Sequence, residues 1–126
     1  MIGQFVAVGA GAALGAWLRW GVAAWLNPKV PQYPLGTLAA NLVGGYLVGI
    51  AIAFFIARTD LAPEWRLFVV TGLLGGLTTF STFSAEVTEH LLRGGYGHGL
   101  VLAFAHLAGS LALTAAGFAT FRALTT

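Results

Sequence analysis

Long apolar stretches alternate with short polar ones along the chain, and this alternation predicts the fold. Four apolar segments occupy about residues 2–26, 35–57, 65–92 and 98–122. Each segment is long enough to cross the hydrocarbon core of a bilayer, which takes about 20 residues of helix. The pattern therefore predicts an all-α integral membrane protein, with one transmembrane domain over residues 1–126 and four transmembrane helices per chain.

The third apolar segment has the least regular pattern. It contains no charged residue between Leu67 and Ala85, yet residues 75–84 read GGLTTFSTFS. Glycine and the hydroxyl residues are poor helix formers, so we expect the third helix to be broken in mid-membrane near residues 75–79. Unpaired peptide groups are costly in hydrocarbon, and a break at that depth typically lines an ion site. Small residues that let helices pack closely would explain the same composition.

Asn41 is a polar residue in the second apolar segment. Gly45 and Gly49 follow it at intervals of four residues, so all three share one narrow helical face. An amide without a partner is costly in lipid, and Asn41 must therefore face protein or a cavity. It would form an interhelical hydrogen bond or donate its NH₂ group to a passing anion. We favour the second interpretation because the glycines leave room for an ion.

The fourth segment has a stripe of polar residues. His106, Ser110 and Thr114 are spaced by four and lie on one helical face. Such a stripe is typical of a hydrated pathway, although serine and threonine also bond the carbonyl one turn earlier. His106 could titrate, but a single histidine is more often simply hydrogen-bonded.

Phe80 and Phe83 are three residues apart in the third segment, on one face of a helix. Aromatic edges carry positive potential and would suit a small anion, whereas the ring faces would suit a cation. Packing or lipid contact is the simpler interpretation of the pair.

The composition excludes several classes of protein. Of 126 residues, 58% are hydrophobic and 8% are charged, whereas a soluble domain is about a quarter charged. The chain has no cysteine, which excludes disulfides and thiolate metal sites. A net charge of +2 from scattered basic residues provides no surface for nucleic acid. The first segment lacks the basic start of a cleavable signal, so we expect it to remain as a helix.

The loop charges do not select one orientation in the membrane. With four spans, the basic residues divide equally between the two sides: Arg58, Arg66 and Arg122 on one, Lys29, Arg93 and Arg19 on the other. The positive-inside rule needs an imbalance to orient a chain. We therefore expect dual topology, with two oppositely oriented copies forming an antiparallel homodimer.

Two charged residues near the ends of segments each allow more than one interpretation. Arg19 lies among tryptophans, where it would reach toward headgroups, anchor a dimer or draw anions into a vestibule. Glu86 belongs to a charged helix end that leaves the membrane, or to the lining of a vestibule.

The segment GGLTTFSTFS at 75–84, following TGLL at 71–74, resembles the bacterial fluoride channel family (Fluc, also called CrcB). NLVGG at 41–45, GAWLR at 15–19 and the four-helix layout extend the resemblance over the whole chain. It implies an antiparallel dual-topology homodimer in the bacterial inner membrane, with two pores that conduct fluoride passively and selectively out of the cell. It also implies a structural Na⁺, not transported, at the dimer centre.

The resemblance assigns roles to individual residues. The Na⁺ would be held by the backbone carbonyls of Gly75 and Thr78. Members of the fluoride pathway would be Asn41, Phe80, Phe83, Ser81, Thr82, Ser110 and Thr114. Glu86 would lie by a vestibule. His106 stands where a small hydroxyl residue is expected, so it is assigned with Arg19 and Glu86 to a vestibule or anchor and not to the pathway itself.

The main alternative is a small dual-topology multidrug or proton-coupled transporter. Such a carrier needs an ionisable carboxylate inside the membrane, whereas Asp60, Glu64, Glu86 and Glu89 fall in loops or near helix ends. A structural subunit with glycine-rich faces is a further alternative, but it does not predict a hydroxyl stripe. No catalytic triad, metal cluster or phosphate loop is present, so we expect no enzyme activity.

Overall fold

The computed structural model describes residues 1–126, and every regular element in it is helical. Helix α1 spans Ile2–Leu26 and α2 spans Leu35–Ala57, joined by a short 3₁₀ turn at Asn27–Lys29. The last helix, which we number α6, spans Tyr96–Thr125 and extends beyond the predicted 98–122 at both ends. Four helical stretches are long and apolar enough to cross a membrane. The predicted all-α class with four membrane-capable helices is confirmed.

The third membrane-capable stretch, Pro63–Leu92, is made of several pieces. It starts with α3 at Pro63–Arg66, winds as a π-helix through Leu67–Leu74, and returns to α-helical winding in α4 at Gly75–Leu77. Thr78 (φ −92°, ψ 155°) and Thr79 (φ −153°, ψ 119°) then have extended backbone. Helix α5 begins at Phe80 and runs to Leu92.

Glycine faces hold the helices close together. In α1, Gly11 and Gly15 approach the third stretch closely: a Cβ on Gly11 would lie 3.0 Å from the Cα of Gly72, and one on Gly15 would lie 3.0 Å from the carbonyl carbon of Gly76. Helices α2 and α6 meet in the same way, since a Cβ on Gly117 would lie 2.9 Å from the backbone nitrogen of Ile50. Small residues permit such backbone contact between membrane helices. These contacts bring polar side chains of neighbouring helices within reach of each other.

Large apolar side chains cover the outside of the molecule. Phe5, Trp17, Phe104 and Leu111 are among those with most of their surface exposed. In water this would be unfavourable, but hydrocarbon is the matching solvent for such a surface. Polar groups concentrate inside instead, where Thr37, Asn41 and His106 are buried.

The 58–62 turn between α2 and α3 is polar and solvated. The Arg58 guanidinium donates two hydrogen bonds of 3.0 Å to the Asp60 carboxylate. These bonds lower the pKa of Asp60, and both side chains remain exposed. An exposed pair of this kind contributes little to stability, so the turn separates α2 from α3 without adding to the interior.

Candidate functional site

An open groove of about 330 Å³ runs between α2, α5, α6 and the extended residues at 78–79. It brings together residues that are distant in sequence: Asn41, Gly45, Val48, Thr78, Thr79, Phe80, Phe83, His106, Leu107, Ser110, Leu111 and Thr114. No lysine, arginine, aspartate or glutamate lines it. Five of the seven predicted pathway residues are therefore found in one uncharged groove, among apolar side chains.

Asn41 joins α2 to the extended backbone. Its Oδ1 accepts a hydrogen bond of 2.7 Å from the N–H of Thr79, and its Nδ2 donates one of 3.0 Å to the carbonyl of Thr79. Backbone groups that leave a helix inside an apolar medium need such partners, because an unpaired one is costly. The amide of Asn41 therefore stabilises the extended conformation at Thr79. The sequence predicted that this amide donates to a passing anion. The structure shows in addition that it holds the backbone of Thr79.

His106 completes the polar contacts of Asn41. The Nδ2 of Asn41 lies 2.9 Å from the Nδ1 of His106, within hydrogen-bond distance. The imidazole is 2% exposed, and its other nitrogen, Nε2, is buried without a hydrogen-bond partner. Its ring also packs on that of Phe83, with centroids 4.5 Å apart and planes tilted by 30°. His106 thus lies in the interior of the site.

Phe80 and Phe83 meet edge to face. Their ring centroids are 5.3 Å apart and their planes make an angle of 79°. Phe83 is buried at 6% exposure, whereas Phe80 is 71% exposed at the open side of the groove. Perpendicular packing is the favoured geometry for aromatic pairs, since a positive edge meets a negative face. Both rings contribute to the wall of the groove.

The polar stripe of α6 faces this groove along its whole length. Thr114 donates a hydrogen bond of 3.0 Å from its hydroxyl to the carbonyl of Gly45 on α2. The Ser110 side chain forms no hydrogen bond within the chain, so its hydroxyl is free to meet a ligand. The predicted stripe of His106, Ser110 and Thr114 therefore lines a single surface.

Ser81 and Thr82 lie outside the groove lining. Thr79 caps the start of α5, with its hydroxyl accepting a hydrogen bond of 3.1 Å from the N–H of Thr82. The hydroxyls of Ser81 and Thr82 both lie 3.3 Å from that of Thr79. They form a small cluster around the helix start. Thr79 was not among the predicted site residues, although a threonine directly before a helix is a typical N-cap.

The extended residues also leave main-chain carbonyls free. Because Thr78 and Thr79 are not helical, no later N–H returns to the carbonyl oxygens of Gly75 or Thr78, and no side chain donates to them. The intervening Gly76 carbonyl accepts a hydrogen bond of 3.0 Å from Nε of Arg19. Oxygen ligands of this kind suit a hard cation such as Na⁺. No cluster of acidic or histidine side chains offers another cation site.

A second polar cluster lies midway along α5. The Thr37 hydroxyl donates a hydrogen bond of 2.7 Å to Oε2 of Glu86, whose Oε1 is buried without a partner. Asn27 is close to the same threonine, and its Oδ1 accepts hydrogen bonds from the N–H groups of Gly36 and Thr37. Glu86 also borders a cavity of about 80 Å³. It is therefore held between helices and is not simply part of a solvated helix end; Thr37 was not anticipated from the sequence.

Comparison with known proteins adds an independent finding. Residues 6–118 match the family model described as CrcB-like protein, Camphor Resistance (CrcB). A protein of Thiobacillus denitrificans named fluoride-specific ion channel FluC is 60% identical over 120 residues, which cover 95% of this chain and 97% of that protein. A protein of the same name from Ralstonia pickettii is 61% identical over 118 residues, covering 94% of each chain. The similarity spans every residue of the groove.

Proposed function

The chain belongs to the CrcB family, and from that premise we propose that it is a fluoride-selective ion channel, which conducts F⁻ passively out of the cell and so reduces its toxicity. It is a multi-pass membrane protein and not an enzyme. Its location would be the bacterial cytoplasmic membrane, where efflux protects the cell.

One observation carries this proposal: the groove gathers several kinds of uncharged donor and holds no charged residue. Fluoride binds water tightly, so a pore must replace its hydration shell with many donors. The Ser110 hydroxyl and the edges of Phe80 and Phe83 would supply donors. The amide of Asn41, which bonds to Thr79 and lies against His106, would line the pathway and hold the groove in this arrangement. A fixed cation in the groove would hold the anion too long, whereas weak donors in series let it enter and leave.

We propose that two copies associate as an antiparallel dual-topology dimer with two pores. The groove is open on the side where Phe80 is exposed, so a single chain does not enclose a pathway. A second copy would close it. The equal division of basic residues between the two sides supports opposite orientations of the two copies. In this arrangement the extended residues Thr78 and Thr79 would lie at mid-membrane depth, as a break in the third transmembrane helix.

We propose a structural Na⁺, which is not transported, held by the carbonyls of Gly75 and Thr78. These oxygens accept no hydrogen bond within the chain, whereas the carbonyl of Gly76, between them, accepts one from Arg19. The ion would supply the positive charge that compensates free carbonyls in an apolar medium. In the dimer, the same two carbonyls of each copy would face one another across the ion.

Reconstitution of the purified chain into liposomes tests the channel proposal. With a K⁺ gradient and valinomycin to set the voltage, we expect fluoride efflux at a fluoride electrode and no comparable chloride efflux. Protein-free liposomes measure the leak. Fluoride release that does not exceed this leak, or equal release of chloride, would contradict the proposal.

A small multidrug or proton-coupled transporter is the alternative, and Glu86 is the observation that favours it. This carboxylate lies within the third membrane-capable stretch, and one of its oxygens is buried. Proton-driven uptake of a cationic drug by the same liposomes, abolished by Glu86→Gln, would support that function. Fluoride flux that persists without a proton gradient would exclude it.

A further inference from the structure

Arg19 is the only charged residue of α1, and its side chain contacts the third membrane-capable stretch. It lies one turn beyond Gly15, on the helix face that packs against that stretch. From there its Nε donates a hydrogen bond of 3.0 Å to the carbonyl of Gly76, and the residue is half-buried. The structure therefore favours an internal contact of Arg19 over one with lipid headgroups.

The guanidinium of Arg19 has no negatively charged partner. Two ion pairs form within the chain, and neither includes Arg19: Arg58 pairs with Asp60, and Arg93 with Glu89. A guanidinium keeps its charge in proteins. A full positive charge therefore lies against the third stretch, and the dipole of one carbonyl is its only hydrogen-bonded partner.

This charge lies beside the two carbonyls that would hold the cation. Gly76 stands between Gly75 and Thr78 in the chain, where regular helical winding stops. The hydrogen bond from Arg19 holds the guanidinium at this place. Like charges repel, and at one position an ion with two charges is repelled twice as strongly as an ion with one. The position of Arg19 thus disfavours a divalent ion more than a monovalent one.

We propose that Arg19 restricts the cation site at Gly75 and Thr78 to monovalent ions. The proposal rests on the structural Na⁺ of the proposed function and adds the residue that determines which cation is accepted. Carbonyl oxygens alone also suit Ca²⁺, which is a hard cation of similar ligand preference. The positive charge of Arg19 supplies the discrimination that the oxygen ligands lack.

The melting temperature of the purified full chain in detergent tests the proposal, because a bound ion stabilises the folded dimer. With N-methylglucamine chloride as the background salt, we expect NaCl to raise the melting temperature and CaCl₂ at equal ionic strength to have no comparable effect. Equal stabilisation by CaCl₂ would overturn the inference and leave the channel and its cation site intact. If neither salt stabilises the chain, the cation site itself is refuted and the inference with it.

A double variant separates the charge of Arg19 from its hydrogen bond. Arg19→Gln keeps an N–H donor without the charge, and Arg122→Gln in the same chain keeps the basic residues equally divided between the two sides. We expect CaCl₂ to stabilise this variant. Its gain in apparent affinity for Ca²⁺ should be about the square of its gain for Na⁺, since the repulsion is proportional to the charge of the ion.

Two controls accompany the double variant. Arg19→Lys keeps the charge and should keep the preference for Na⁺. Lys29→Gln combined with Arg122→Gln removes the same number of charges from each side but leaves Arg19, and it should behave as the unmodified chain. If the double variant at Arg19 is stabilised by Na⁺ and still not by Ca²⁺, Arg19 only holds the carbonyl of Gly76, and the inference is wrong.

Discussion

Asn41 and Thr79 are joined by two hydrogen bonds, one accepted and one donated by the asparagine amide, at distances of 2.7 and 3.0 Å. The pair links α2 to the residue at which the third membrane-capable stretch is not helical. A side-chain amide reproduces here the bonding that a neighbouring strand would give to an extended residue. The local structure of the site therefore depends on a residue 38 positions away.

Replacing Asn41 with alanine tests this link. The change would leave the N–H and the carbonyl of Thr79 without partners, and each buried unpaired group costs about 1–3 kcal/mol. We expect a lower melting temperature in detergent and loss of fluoride efflux. Gln4→Ala is the matched control, because that amide forms no hydrogen bond with the rest of the chain. Normal efflux in Asn41→Ala would show that the groove does not depend on this bond.

Isoleucine at Phe80 or Phe83 tests the aromatic pair. Isoleucine has no positive ring edge to offer an anion, so we expect a clear fall in fluoride flux in either variant. Only Phe83→Ile should also lower the melting temperature, since Phe83 is buried and Phe80 is exposed. Phe104→Ile, at an exposed ring of α6, is the control. If both variants conduct normally, the rings have no part in conduction.

Alanine at Gly117 tests the contact between α2 and α6. The added methyl would lie 2.9 Å from the backbone of Ile50, and overpacking of this kind costs about 1–3 kcal/mol. We expect a clear fall in thermal stability. Gly21→Ala should have little effect, because nothing lies within 4 Å of a Cβ at that position. Equal stability of the two variants would mean that the helices do not pack this closely.

Removal of sodium tests the proposed cation site. With Na⁺ replaced by N-methylglucamine, we expect a weaker dimer, because the carbonyls of Gly75 and Thr78 would lose their ligand. It should dissociate at protein concentrations at which it stays intact in Na⁺. Cross-linking yield against protein concentration measures the change, and replacing chloride with another spectator anion is the control. Dimerisation that is indifferent to Na⁺ would eliminate this assignment.

Single cysteines at Thr59 and Gly97 test the orientation in the membrane. The chain has no native cysteine, and both positions lie at the ends of membrane-capable stretches. A dual-topology protein should show each cysteine labelled in part from either side of the membrane by an impermeant reagent. Labelling of one position exclusively from one side would establish a fixed orientation and refute the antiparallel dimer.

The sequence by itself determined the number of membrane-capable stretches and the chemical character of the site. Uncharged apolar segments of this length are stable as helices in hydrocarbon, so hydropathy alone predicts four membrane spans. The stripe of His106, Ser110 and Thr114 follows from helical geometry, because residues four apart within one helix share a face whatever surrounds it. The polarity of Asn41 required only that its amide turn inward, and its grouping with that stripe was implied by the family resemblance.

Only the tertiary structure decided which polar groups bond to one another. Asn41 is 65 positions from His106, and their contact depends on how α2 and α6 pack through Gly49 and Gly117. The placement of Ser81 and Thr82 outside the groove depends on where the backbone resumes helical winding. The contact and the placement both depend on the distance between helices and on the rotation of each helix about its axis. Because hydrogen bonds require a separation of about 3 Å, small differences in packing that hydropathy does not encode decide which of them form.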